Sequence, residues 1–179
     1  ALGEDERAEG MRFAAIVLHD AEDHVHPGEI ALYRRYLVDH AMVQIPVVPI
    51  IARGARWIGG HYGDEFAEAH GKEMVVRSRL GMALPSAGVG CALTRHTLAL
   101  LAIERGGDPF RCNSLTEDYE IGMVIGAYGL SARFVDEAGA FAGLAGWFCG
   151  LVVSSGAGTR ELTALSYIKF SSSSGRSGR

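Results

Sequence analysis

The chain has 179 residues, 48% of them hydrophobic, and a formal net charge of −4. That length accommodates one domain with a substantial core, and the negative balance with its scattered arginines gives no footprint for nucleic acid, which is excluded as a partner. Cys91, Cys112 and Cys149 are odd in number and form no CxxC pair, which argues against a disulfide framework or a cysteine zinc site and points to a reducing compartment.

Ala1 to Gly10 (ALGEDERAEG) is polar and acidic, unlike a secretory or transit peptide. It reads as a helix already under way and lacks an initiator Met, so the chain is expected to be a piece of a longer protein. Phe13 to Leu18 (FAAIVL) reads as a buried strand. It runs into His19, Asp20, Ala21, Glu22 and Asp23, so three carboxylates fall at the C-terminal end of a strand, where open α/β sheets place their ligands. Hard oxygen donors crowded in this way suit Mg²⁺ or Mn²⁺. A solvated acidic turn ahead of the next helix is the plainer alternative. The flanking His19, His24 and His26 offer a zinc reading as a lesser alternative, against which stands a chain with no HExxH and no Cys/His pairs at zinc spacing.

Pro27 and Gly28 lead into a helix expected over Glu29 to His40, with Ile30, Tyr33 and Leu37 at helical spacing. Met42 to Ile51 (MVQIPVVPII) is β-rich, but Pro46 and Pro49 demote it to a bulged or edge strand at the sheet margin. Tyr62 to Leu80 reads as a helix broken at Gly71 or running in two pieces; Tyr62 and Phe66 either belong to an amphipathic face or line a sugar or acceptor cleft. Pro85 to Gly90 (PSAGVG) is a turn whose small residues would let a substrate approach backbone N–H groups, and it lacks the Lys and Ser/Thr of a P-loop.

A strand over Val89 to Leu93 and a helix over Thr94 to Arg105 follow. Thr116 is placed to cap a helix whose first turn holds Glu117 and Asp118 and which Gly129 ends; Ser131 to Val135 is another short strand. Acids in a first helical turn are usual for dipole reasons alone. If this helix start faces the acidic cluster across a cleft, Asp118 can accept the proton of an attacking hydroxyl. Ala138 to Val153 is an apolar Gly- and Ala-rich stretch shorter than the ~20 residues a membrane span needs. Ser171 to Arg179 is low in complexity and expected to be disordered. Helices alternating with strands give an α/β fold class.

Taken in order, LHDAED at 18 to 23, VQIPVVP at 43 to 49, GHYGDEFAEAHGK at 60 to 72, PSAGVGCALTR at 85 to 95 and SLTEDYEIG at 114 to 122 resemble the glycosyltransferase family 2 catalytic domain. The likeness is closest to its membrane-associated branch, which includes phage-adsorption proteins. It implies a partial GT-A fold, a Rossmann-like α/β/α sandwich, over residues 1 to 136. The part that binds the nucleoside is expected to precede residue 1, and 137 to 179 is expected to be a poorly ordered Gly/Ala/Ser-rich tail without the family's QxxRW.

By the same resemblance, Asp20, Glu22 and Asp23 occupy the place of the DxD motif that holds Mg²⁺ or Mn²⁺ on the donor diphosphate, Asp20 pairing with Glu22 or Asp23. Thr116, Glu117 and Asp118 match the TED motif, which implies Asp118 as the base. Ser86, Ala87, Gly88 and Gly90, with Thr116 and Glu117, would shape the substrate pocket. The implied reaction is inverting transfer of a sugar from a nucleotide-sugar, a UDP-sugar by expectation, to a saccharide or lipid-linked acceptor. The implied location is the cytoplasmic face of a bacterial inner membrane, reached through parts outside this chain. Two rivals stand beside it: a non-catalytic, degenerate transferase domain in a membrane complex or in phage adsorption, and a metal-dependent phosphohydrolase using the same acids.

Overall fold

A computed structural model of the chain describes residues 2–20, 23, 25–49, 56–110, 116–136 and 163–168. Among these, five short strands make one sheet in the order β4-β2-β3-β1-β5: β1 is Ala15–Asp20, β2 Met42–Gln44, β3 Cys91–Thr94, β4 Ala132–Phe134 and β5 Thr163–Ile168. β3 is antiparallel to both β1 and β2, β4 is parallel to β2, and β5 is antiparallel to β1. The carboxyl ends of β1, β2 and β4 therefore share one edge with the amino end of β3. That edge carries Asp20, Gln44, Phe134 and the loop before Cys91.

The two-residue period of the strands sorts side chains to two faces. Ile16, Leu18, Met42, Cys91, Leu93 and Phe134 pack with Met74, Leu98, Leu101, Ile121 and Ile125, which come from α4 (Met74–Arg79), α5 (Arg95–Glu104) and α6 (Glu117–Ala127). Val17, Val43, Ala92 and Val135 pack on the other face against Tyr33 of α2 (Glu29–Tyr36). The result is the GT-A kind of α/β layering, here as a mixed sheet. The first helix, α1 (Leu2–Glu9), is tied down by Glu6, which accepts two hydrogen bonds of 2.8 Å from Arg95 and one of 3.2 Å from the Phe13 N–H.

β2 lies inside the sheet rather than at its margin, and it is three residues long rather than ten. The reason is that the ladder of β2 stops before the prolines: Ile45 still donates to the Gly90 carbonyl at 2.9 Å, and Pro46, which has no N–H to give, follows at once. Helix α2 is also shorter than expected, closing at Tyr36 with Leu37 as C-cap. Gly71 does not break its helix. Instead α3 (Arg56–Glu68) continues into α4 through a π-helical turn, Ala69–Glu73, and the extra residue per turn aims His70 inward, where Nδ1 accepts the Val47 N–H at 2.9 Å.

Thr94 caps α5, its Oγ1 accepting the Thr97 N–H at 3.1 Å. Helix α6 lies unusually close to the segment 83–86, because a Cβ at Gly122 would collide with the backbone of Leu84 and Ser86, and one at Gly126 with Ala83. Gly122→Ala should therefore destabilise the fold by about 1–3 kcal/mol through overpacking. Gly60→Ala, in α3 where nothing lies within 4 Å, should be neutral or stabilise by up to about 1 kcal/mol. Urea unfolding of the two variants beside the wild type reads this contrast.

Candidate active site

The acids at the end of β1 and just beyond it divide between the two faces. Asp20 continues the alternation of Ile16 and Leu18 toward the face that carries α6. Tyr62 of α3 lies near it: burial pushes that phenol's pKa up, and the charges of Asp20 and Glu65 add to the shift. Asp23 turns back instead. Its Oδ2 accepts the Asp20 N–H at 3.0 Å and lies 3.3 Å from His19 Nδ1, so Asp23 pins the end of the strand. The side chain of Glu22, and that of His24, lie outside the described residues.

His19 faces α2, as Val17 does. Its Nε2 sits 2.7 Å from Glu29 Oε1, a charge contact poorly aligned for a hydrogen bond, and both side chains are buried. Burial alone would lower the imidazole pKa, but Asp23 and Glu29 outweigh it and hold the value up at about 9. His19 is thus held as an imidazolium between two carboxylates at neutral pH. Fully buried Tyr33 stays protonated, through burial first and then through the charge of Glu29.

On the opposite face stands Asp118, in the first turn of α6, with Oδ1 accepting the Tyr119 N–H at 2.8 Å. Thr116 occupies the N-cap position, but its side chain makes no capping bond; the side chain of Glu117 lies outside the described residues. The carboxylate of Asp118 rests directly on Gly88, where a Cβ would strike Oδ2. Cys91 beneath is an inert wall, its thiol pushed up to about 12 by burial, with Ser86 pulling it down and Asp118 adding to the rise.

The loop 86–90 commits two of its N–H groups to protein partners. Gln44 Oε1 accepts the Ala87 N–H at 3.0 Å and Ser86 Oγ accepts the Gly88 N–H at 3.2 Å, so these two donors are engaged within the protein. Gly88 and Gly90 adopt φ of +77° and +60°, a region that side chains disfavour. The loop instead presents Gly88 as a flat seat for Asp118.

Beyond Gln44 the same edge opens into a cavity of about 380 Å³ walled by Pro46, Val47, Phe66, His70 and Phe134, with Asp136 at its border. Tyr62, Phe66, His70 and Phe134 form a row of rings with successive centroids 4.8, 5.1 and 5.6 Å apart. Burial pulls His70 down to about 4, so it is neutral at physiological pH. Of the two residues that sequence reasoning left open between an amphipathic face and a cleft, Phe66 lines this cavity, while Gln44, Glu29 and His70 were passed over. The available signals were a lone amide in an apolar run and an acid opening an amphipathic helix.

Whether a divalent cation fits is decided by the donors present. Mg²⁺ and Mn²⁺ are commonly held by one or two carboxylates together with water and substrate phosphates. Asp20 is a hard oxygen donor of that kind, while Asp23 already engages the Asp20 N–H and His19 through Oδ2. Among the described residues no group of three or more His, Cys, Asp or Glu forms an all-protein cage.

A mixed α/β sheet with an acid at the end of its first strand and a carboxylate at a helix start on the same edge is the layout expected of a partial GT-A domain. The sequence profile described as Glycosyl transferase family group 2 matches residues 15–148, and the chain belongs to that family. It is 40% identical over 136 residues to Bacteriophage adsorption protein B of Escherichia coli strain K12, and equally to Bacteriophage N4 adsorption protein B of Escherichia coli O157:H7. Each match covers 75% of this chain and 18% of the relative, so the chain spans about a fifth of the length of these proteins.

The raised pKa of His19 fixes a pH dependence. Its ordinary value is 6.5 and its folded value about 9, so its contribution to stability is complete below about pH 6.5 and is lost as pH rises through 9. Unfolding free energy should fall by about 2–3 kcal/mol across that window. A His19→Gln variant should lose most of this slope; the two denaturation series against pH measure it.

Proposed function

We propose that this domain carries out inverting transfer of a sugar from a nucleotide-sugar donor, a UDP-sugar, to the hydroxyl of a saccharide or lipid-linked acceptor. The observation that supports it most is the Asp118 carboxylate, seated on Gly88 at the sheet edge that also holds Asp20. Family membership supports sugar transfer in general. The direction of transfer, the metal and the base are this reading's own.

In this reading Asp20, with Glu22 or Asp23, holds Mg²⁺ or Mn²⁺ against the donor diphosphate. The cation supplies charge neutralisation to the departing nucleoside diphosphate. Asp118 accepts the acceptor proton as its oxygen attacks the anomeric carbon, and a single base on that side gives inversion without a covalent sugar intermediate. The seat at Gly88 limits how far Asp118 can swing, so its oxygen is presented at one position. Ser86, Ala87 and Gly90 keep that seat in place, while Thr116 and Glu117 flank the acceptor side. Tyr62, close enough to feel Asp20, offers a ring on which a sugar can stack.

We place the working protein at the cytoplasmic face of the bacterial inner membrane, anchored by segments other than those described; no helix among the described residues is long and apolar enough to cross a membrane. A second reading is favoured by the relatives' names, which concern bacteriophage adsorption. In that reading the domain is a non-catalytic component of an adsorption complex, and Asp118 is dispensable.

Asp118→Asn in the intact protein separates the two. Measured with Mn²⁺ and a panel of UDP-sugars, turnover should fall by about 10²–10⁴-fold while UDP affinity stays within twofold. Undiminished turnover, or undiminished phage adsorption beside a wild type that consumes no donor, would overturn the catalytic reading.

A further inference from the structure

Gln44 is the chain's only glutamine, and it is fully buried. The alternation of β2 sends it to the same face as Met42, beneath the loop that leads into β3. Its amide hydrogens are shared among three carbonyls: Ile45 at 2.8 Å, Val89 at 2.9 Å and Gly90 at 3.1 Å. Its oxygen accepts the Ala87 N–H at 3.0 Å. One side chain therefore holds the loop near both ends, through donor and acceptor together.

Nothing in the pairing of β2 demands this. The backbone of Ile45 already donates to Gly90, and the Gln44 carbonyl already accepts from Val135 at 3.0 Å, so an apolar residue would satisfy strand and core alike. Apart from the bond to the neighbouring Ile45 carbonyl, what the amide adds falls on Ala87–Gly90. Gly88, the centre of that segment, is the residue on which the Asp118 carboxylate rests. A shift of Gly88 outward would leave space behind Asp118, and a shift inward would collide with it.

We propose that Gln44 is a positioning residue for the acceptor-activating carboxylate: by clamping Ala87–Gly90 from below, it sets where Gly88 stands and hence where Asp118 presents its oxygen. The proposal rests on the sugar-transfer reading. It assigns to Gln44 no contact with substrate; its action passes entirely through the loop. A misplacement of about 1 Å of a reacting group is enough to cost on the order of 10²-fold in rate, so a clamp of this kind has a measurable signature.

The test uses Gln44→Leu and Gln44→Glu in the intact protein. Leucine keeps the bulk and removes all four bonds. Glutamate keeps an acceptor for Ala87 but sets a carboxylate against three carbonyl oxygens, and it serves as the second variant should leucine fail to fold. Hydrogen exchange by mass spectrometry, Mn²⁺-dependent UDP binding, and donor turnover with UDP-glucose and other UDP-sugars are measured on each folded variant. Exchange over residues 86–90 should accelerate tenfold or more while β1 and α5 keep wild-type protection. UDP affinity should stay within twofold, and kcat should fall tenfold or more with little change in donor KM.

Wild-type kcat in a variant whose loop exchanges faster overturns the positioning role. So does a variant whose exchange rises throughout the sheet with a parallel loss of UDP affinity, since Gln44 would then be a general fold residue. A wild type that turns over no donor overturns the sugar-transfer reading and the positioning role with it, whereas the exchange data still decide whether Gln44 holds the loop.

Discussion

The close approach of α6 to the segment before β3 is the constraint on which the rest of the site depends. Gly122 and Gly126 carry no side chain on the face that meets Ala83–Ser86, so the helix settles against backbone. That contact brings the amino end of α6 over the loop 86–90 and sets Asp118 on Gly88. Two glycines in the body of a helix cost roughly 1 kcal/mol each relative to alanine. Here the cost is offset by packing and is coupled to the placement of one carboxylate.

The sheet edge then organises polar groups by face. On the α2 side, His19, Asp23, Glu29 and Tyr33 form a buried charged cluster that fixes the end of β1. On the α6 side, Gln44, Ser86, Gly88 and Asp118 form a second cluster around the loop. Asp20 lies at the end of β1 that the first cluster fixes, and by alternation it turns toward the second. Asp20 and Asp118, the two carboxylates of the proposed site, thus share one edge. The π-turn at Ala69–Glu73 extends the edge by aiming neutral His70 at the backbone of Val47, which shapes the wall of the adjoining cavity.

Much of this was legible in the sequence, and the failures have physical causes. β1, β3, β4, α5 and α6 follow from apolar runs, a Thr cap and a terminating Gly, because those signals act within a few residues. The position of β2 was misjudged because two prolines were weighed as part of the strand, when the ladder ends at Gln44 ahead of both. Gly71 suggested a break, yet a π-turn accommodates it, and only the tertiary contact of His70 with Val47 reveals why. The acid-rich turn and Asp118 were recognisable by their neighbours in sequence. The roles of His19, Glu29 and Gln44 were not, since each depends on a partner brought close by the sheet rather than by the chain. Of the acidic turn, only Asp20 and Asp23 lie within the described residues, and Asp23 proves to be as much a strand-end cap as a ligand candidate.

The central claim is that the Asp20 end of β1 and the Asp118 end of α6 are two sides of one sugar-transfer site. Crystals of the intact protein soaked with Mn²⁺ and UDP, measured at the manganese absorption edge, test it most directly. The account predicts one anomalous peak at ligand distance from the Asp20 carboxylate, bridging to the diphosphate, with UDP extending along the sheet edge and its terminal phosphate on the side facing Asp118. A peak bound elsewhere, or a diphosphate lying on the α2 side of the sheet away from Asp118, would contradict it.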